Sequence, residues 1–384
     1  MTSTSNLFQP LSIGNITLNH RLALAPLTRF RASDNHVPRP LMTEYYKQRS
    51  SVPGTLLITE GTFISPQDGG LPNVPGIWSE EQVTAWRDVT DAVHKNGSYI
   101  YAQLWSLGRA AVPSVAAKEN ITISAPDAIP SGPDSPTPRK LSVAQIQQKK
   151  EAYVAAARNA IAAGFDGVEL HGANGYLIDQ FLQDVSNQRD DEYGGSVENR
   201  SRFAVEVAAA VAREIGAERT GIRLSPWSTF GGMRMADPVP QFSDVIEKLD
   251  RLNLSYLHLV EPRIAGNVDV ESTETLDFAY DLWKGPLLIA GGFKPYTARK
   301  LVDKEKPERD IVVVFGRHFI STPDLPYRVQ KGLELEKYDR NHNMKSISPF
   351  ELYPTSTIFS YYETSDCFSN GHPATLSILH LNAK

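Results

Sequence analysis

At 384 residues the chain is long enough for one large domain or two ordinary ones, and for a sizeable buried core. Charged residues are interspersed and the formal net charge is only −5, so no basic face offers itself to nucleic acid and small molecules become the expected ligands. Cys367 is the single cysteine, which excludes an internal disulfide and a cysteine-built zinc or iron–sulfur site; the N-terminus lacks a basic region followed by an apolar stretch, and no run of about 18 apolar residues occurs, so a cytoplasmic protein without a membrane span is expected.

In chain order, residues 11–20, "LSIGNITLNH", read as a small β-hairpin around Gly14-Asn15. Short apolar runs follow at 21–28, 55–62, 98–105, 166–172, 221–226, 255–262, 286–292 and 311–318, making eight candidate strands. Between them lie helical patterns such as "SEEQVTAWRDVTDAVHKNG" and "SVAQIQQKKEAYVAAARNAIAAG", in which Ser79 with Gln82 and Ser142 with Gln145 have capping-box spacing. Near-continuous Val, Ile and Leu in the strands suits a parallel sheet buried on both faces, and eight strand–helix units is the number that closes an α/β, (β/α)8 TIM barrel. An open doubly wound sheet is the alternative; against it, no strand runs into a G-x-G-x-x-G helix start. The hairpin then becomes a cap on the barrel's N-terminal end. The stretch 112–139, rich in Pro, Ser, Ala and Gly, reads as a long loop after strand three that overhangs the opposite, C-terminal face.

Such barrels place their chemistry at the C-terminal strand ends, here Thr28, Glu60, Gln103, His171, Arg223, Glu261, Gly291-Gly292 and Gly316-Arg317. The two-residue period of strand four puts Gly167, Glu169 and His171 on one face and Val168 and Leu170 on the other, aiming His171 at the barrel mouth. A metal held by His171 with Glu169, Glu60 or Glu261 is disfavoured, because Arg223 on the next strand would set a cation where the metal would stand. Taken singly, His171, Asn174 and Tyr176 read equally as strand-end, turn and packing residues. Arg223 ends an apolar strand and calls for an anionic partner, whether an ordinary ion pair or a ligand. The glycines after strands seven and eight, with Arg317, have the makings of a phosphate site. A flavin across the mouth would use Thr28 and Gln103 on its polar edge and Arg223 as a nearby cation.

With those residues in view, the chain resembles the Old Yellow Enzyme family of FMN-dependent ene-reductases from about Leu7 to Arg340. The resemblance rests on "LALAPLTRFRA", "PGTLLITEGTFISP", "PGIWSEEQ", "AQLWSLGRA", "DGVELHGANGYLIDQFLQDVSNQRDDEYGGSVENRSRF", "GIRLSP", "HLVEPR" and "FGRHFISTPDLPYRV", all in order. It implies one FMN-binding barrel domain over 1–340. It also implies that Thr28, Gln103 and Arg223 bind the flavin ring's polar atoms, that Pro26, Leu27 and Gly61 line the ring, and that Gly291, Gly292, Gly316 and Arg317 grip its phosphate. His171 and Asn174 match the pair that binds a substrate carbonyl oxygen, and Tyr176 matches the proton donor. Trp105, Trp227 and Phe230 match substrate-cavity positions. The implied reaction takes hydride from NADPH or NADH and reduces an α,β-unsaturated aldehyde or ketone, an enal or enone, in a monomer or homodimer; a redox-neutral isomerase or desaturase, or a catalytically impaired barrel, is the alternative. "VPGTLLITE" and "STPDLPYRV" are similar to fungal members of secondary metabolism, including the ergot-pathway aldehyde reductases. Residues 341–384 depart from the family pattern, with Asn343 and Met344 standing where it has an aromatic pair.

Overall fold

Eight parallel strands close on themselves in the computed structural model, which describes residues 5–265 and 268–339. They are β1 (Leu22–Leu24), β2 (Leu56–Ile58), β3 (Tyr99–Trp105), β4 (Gly167–Gly172), β5 (Thr220–Leu224), β6 (Tyr256–Val260), β7 (Leu287–Ala290) and β8 (Ile311–Phe315). Each pairs in parallel with the next, and β8 pairs with β1, so the sheet has no open edge between first and last. A two-residue strand, Thr62–Phe63, adds to the far end of β3. The helices that follow the strands are α1 (Pro40–Arg49), α2 (Glu80–Lys95), α3 (Val143–Ala162), α4 (Val197–Ile215), α5 (Pro238–Asp250), α6 (Asp277–Leu282), α7 (Pro295–Lys300) and α8 (Leu325–Lys331). No described helix is long and apolar enough to cross a membrane. The divergent segment 341–384, with Asn343 and Met344, lies outside the described residues.

The alternation within each strand sorts its side chains into two cores. Val168 and Leu170 of β4, Ile222 and Leu224 of β5 and Leu257 and Leu259 of β6 face the helices and join Trp86, Tyr153, Phe203 and Phe242. The alternate residues, among them Ala23, Leu56, Ile58, Tyr101, Tyr256, Leu288 and Val312, fill the barrel interior. That inner core includes Leu11, Ile13, Ile16 and Leu18 from the antiparallel hairpin Leu11–Ile13 with Ile16–Leu18, so the hairpin seals one end of the barrel. Burying each such side chain is worth roughly 1.5–3 kcal/mol before chain entropy is set against it.

Both capping boxes close. Ser79 Oγ accepts from the Gln82 amide at 3.2 Å while Gln82 Oε1 accepts from the Ser79 amide at 3.2 Å. Ser142 and Gln145 do the same at 3.3 and 3.0 Å. The stretch 112–139 differs from the featureless loop expected of it. It carries the short helix Pro113–Lys118 and a two-residue parallel pairing of Ser124–Ala125 with Arg139–Lys140. Pro113 starts that helix at a position where no amide is needed, and one helix of 6 residues is too short to show a period.

Gly14 turns the sealing hairpin at φ +52°, and a Cβ there would lie 1.9 Å from the Glu218 carbonyl oxygen. Gly14→Ala should therefore destabilise the protein by at least the roughly 1–3 kcal/mol of left-handed strain. A thermal melt of the holoprotein reads this, and an unchanged Tm would mean that the hairpin does not lock the barrel end.

Candidate active site

The site rests on a carboxylate inside the barrel. Glu169 points inward from β4 and is fully buried, and its oxygens accept from Gln103 Nε2 at 2.7 Å, the Tyr256 hydroxyl at 3.2 Å and His258 Nδ1 at 2.7 Å. Burial by itself would push this carboxyl up, but His258, Arg223 and Gln103 overcome it and hold Glu169 below the usual carboxylate range. Burial also lowers His258, more than Glu169 raises it, so the imidazole is neutral and the contact is a hydrogen bond to a carboxylate rather than an ion pair. Gln103, expected to face a flavin, is thus oriented from below by Glu169, and its backbone N–H donates to Thr59 Oγ1 at 2.9 Å.

One residue pair above Glu169, β4 and β5 bring His171 opposite Arg223 in register. His171 is buried and its Nδ1 accepts from the Ala173 amide at 3.4 Å. Desolvation first, and then the charge of Arg223, lower its pKa well below the ordinary value, so the ring is neutral with its proton on Nε2. The Tyr176 ring meets His171 edge-on at 4.9 Å and Trp105 edge-on at 4.7 Å, and Trp105 stacks on His171 at 5.9 Å. Burial pushes the Tyr176 hydroxyl up to about 12, with Arg223 pulling the other way.

Between His171 and Tyr176 the chain makes a left-handed turn, with φ +56° at Asn174 and +74° at Gly175. Asparagine tolerates this region and glycine is at home in it. The turn is gripped from several sides. The Asn174 amide donates to Ser225 Oγ at 2.8 Å, the Gly175 amide to Asp179 Oδ2 at 2.8 Å, and Gln180 Nε2 donates back to the Gly175 carbonyl at 2.7 Å. Gln183 Nε2 completes the set by donating to Asp179 Oδ1 at 2.8 Å. Asp179, Gln180 and Gln183 are fully buried and were not singled out from the sequence; three polar residues in the otherwise apolar "LIDQFLQ" were the available signal. Asn174 Oδ1 is buried without a partner, as are Trp105 Nε1 and Arg223 Nε.

These unmet polar atoms bear on whether a flavin fits. A half-buried guanidinium whose Nε is shielded and has no partner, in register with His171 at the mouth, suits an electron-rich ring edge or an anion. Pro26, Leu27 and Thr28 follow β1, and Gly316 follows its neighbour β8. A Cβ on Gly316 would meet Leu27 and Ala25 only at the ordinary contact distances of 3.7–3.9 Å, so the backbone between the two strand ends is not crowded by the protein. Gly291 and Gly292 follow the adjacent β7, with Gly292 at φ +62°, and Arg317 opens the helix after β8. Gly61 is backed by Trp105, whose ring a Cβ would strike at 2.3 Å. The residues present fit FMN. Two expected substrate residues stand apart from this group. The Trp227 indole N–H donates to the Thr275 carbonyl at 2.9 Å, and its ring packs against Phe278 and Arg234. Phe230 is 43% exposed, at the rim of the turn, its carbonyl 3.0 Å from where a Gly175 Cβ would stand. Among the described residues no three His, Cys, Asp or Glu side chains converge as a metal site.

Residues 6–336 match the model of a family described as NADH:flavin oxidoreductase / NADH oxidase. A chanoclavine-I aldehyde reductase of Penicillium roqueforti is 54% identical over 341 residues, covering 88% of this chain and 92% of that protein. A Claviceps purpurea protein named as a probable inactive dehydrogenase is 48% identical over 348 residues, covering 88% of this chain and 92% of its own. The crystal structure of Old Yellow Enzyme from a Pichia species superposes with a TM-score of 0.83 at 38% identity, covering 90% of this chain and 92% of that one.

Asp179 gives the site a measurable pH signature. Burial raises its carboxyl to about 7, against the lowering effects of Gln183, Gly175 and Arg109. The native state therefore keeps a proton that an unfolded chain releases near pH 4, and stability falls as pH rises between about 4 and 7. The slope is at most roughly 1.4 kcal/mol per pH unit. Asp179→Asn should remove that component, so its Tm profile should be flatter than that of the wild type across the window; parallel profiles would place the titration elsewhere.

Proposed function

The chain belongs to the NADH:flavin oxidoreductase / NADH oxidase family and is an FMN-dependent oxidoreductase that uses NAD(P)H; from that premise we propose that it reduces the C=C bond of α,β-unsaturated aldehydes or ketones. The observation that carries this reading is a neutral His171 at the end of β4 and a protonated Tyr176 just past the gripped turn, their rings edge-on at 4.9 Å. Bound FMN supplies the redox chemistry, hydride transfer from NAD(P)H to the electron-poor alkene. Thr28, Gln103 and Arg223 would hold its polar edge, Pro26, Leu27 and Gly61 its ring, and Gly291, Gly292, Gly316 and Arg317 its phosphate.

The protein's own groups do the rest. His171, through Nε2–H, and Asn174, through its amide hydrogens, hold the carbonyl oxygen, where negative charge grows as the β-carbon is reduced. Donors already fixed in place stabilise that charge without reorganising. Tyr176 protonates the α-carbon, and burial keeps its proton on at neutral pH until the carbon becomes basic. Trp105 walls the site beside both rings. An aldehyde of fungal secondary metabolism is the favoured substrate class, because the Penicillium roqueforti relative is named as an aldehyde reductase. The Claviceps purpurea relative, named as probably inactive, keeps a redox-neutral or impaired barrel as the second reading. Product mass separates them: two hydrogens heavier than substrate for a reductase, unchanged for an isomerase.

Tyr176→Phe should leave the bleaching of the flavin band by NADPH within about twofold and slow enal reduction by roughly 10²–10⁴-fold. Equal loss in both half-reactions would remove Tyr176 as proton donor. His171→Ala combined with Asn174→Ala should weaken a phenolate ligand by at least about tenfold, as losing charge-assisted hydrogen bonds requires. The phenol–flavin charge-transfer absorbance reads this, and unchanged affinity would take the pair out of the oxygen-binding role.

A further inference from the structure

Arg109, in the segment after β3, is only 4% exposed yet has no carboxylate in hydrogen-bond contact among the described residues. Its guanidinium instead donates to four backbone carbonyls. Nη1 reaches Ile129 and Pro130, both at 3.3 Å, in the loop that follows β3. Nη2 reaches Gly231 at 3.3 Å and Gly232 at 3.4 Å, in the loop that follows β5. The two loops touch there: a Cβ on Gly232 would lie 2.5 Å from the Ser131 carbonyl oxygen. A guanidinium is suited to this because its rigid planar fork aims donors from two separate nitrogens at the two loops, whereas a lysine's three donors all sit on one atom.

The same residue is tied to the site from beneath. Its backbone amide donates to Gln180 Oε1 at 3.2 Å, and Gln180 Nε2 donates to the Gly175 carbonyl, between Asn174 and Tyr176. The β5 loop also rests on that turn, with the Phe230 carbonyl 3.0 Å and the Gly231 Cα 3.4 Å from the Gly175 Cβ position. Phe230, which this arrangement sets at the rim, is one of the few large apolar side chains left exposed.

We propose that Arg109 is a positioning residue that clamps the β3 and β5 loops into one roof and thereby fixes Phe230 as an apolar contact for substrates with a large apolar body. The proposal rests on the ene-reductase reading for its substrate class, but not for the clamp itself. A small enal that ends short of Phe230 gains nothing from the roof; a polycyclic one does. Loss of the clamp should therefore separate the two.

The test uses FMN-loaded wild type, Arg109→Met and Arg109→Lys. For Arg109→Met the expected result is a roughly tenfold higher KM for 3-(9-anthryl)propenal with KM and kcat for but-2-enal within about twofold, and faster hydrogen exchange in residues 126–135 and 229–235 together. Arg109→Lys should fall between, since one ammonium serves fewer carbonyls. The same split should appear without turnover, as weaker binding of 4-phenylphenol than of phenol relative to wild type. If wild type reduces neither enal but the phenol split and the paired exchange persist, the activity reading fails and the clamp stands. Equal loss for both ligand sizes, or exchange rising in only one loop, overturns the clamp.

Discussion

A carboxylate sealed inside the protein organises the mouth of this barrel. Glu169 is fully buried, and an ionised carboxyl survives there only if every lone pair that faces inward is met. The donors that meet it, Gln103, Tyr256 and His258, come from β3 and β6, on either side of β4 and β5. Their side chains are thereby fixed relative to one another before any ligand enters. Removing one donor would leave a buried charge partly unsatisfied, a larger loss than the hydrogen bond itself contributes. What lies above the carboxylate inherits its rigidity.

The next layer solves a different problem, holding a backbone in a conformation that costs free energy. The Asn174-Gly175 turn is left-handed, and its peptide groups are gripped by Ser225, Asp179 and Gln180 rather than left to solvent. Asp179 accepts from two donors, an arrangement that favours the ionised form, while its burial favours the neutral one. The balance falls near neutrality, so the grip on the turn is itself sensitive to protons.

The barrel was legible in the sequence because its signals are local and repeated. Eight apolar runs bounded by turn residues, and Ser-x-x-Gln at two helix starts, state strand, helix and boundary within a few residues each. His171 was legible for the same reason, since a period of two fixes which face of β4 it shares with Glu169. The supports of the site were not. Asp179, Gln180 and Gln183 sit in a helix of 6 residues and its cap, too short for a period to mark a polar face, and Arg109 finds its partners 20 to 123 positions away. Trp227 shows the converse: its position matched a cavity residue, yet the Thr275 carbonyl, 48 positions on, takes its indole N–H. Partners that are distant in sequence and are backbone groups leave no compositional trace.

Arg223 shows why these supports matter to chemistry. Burial is the first cause that keeps His171 and His258 neutral, and the Arg223 guanidinium adds to it at both while helping His258 and Gln103 hold Glu169 ionised. On Tyr176 it acts against burial, which by itself would make the phenol a still weaker acid. A proton donor must keep its proton until the substrate carbon becomes basic and must then release it at a modest cost, and burial alone serves only the first requirement. The cation serves the second. Because the interaction runs through a medium with little water, it remains effective at distances where solvent would screen it away. The same loss of solvent that makes Arg223 costly to place therefore lets its charge reinforce the neutral imidazoles that burial already favours and temper what burial does to the phenol.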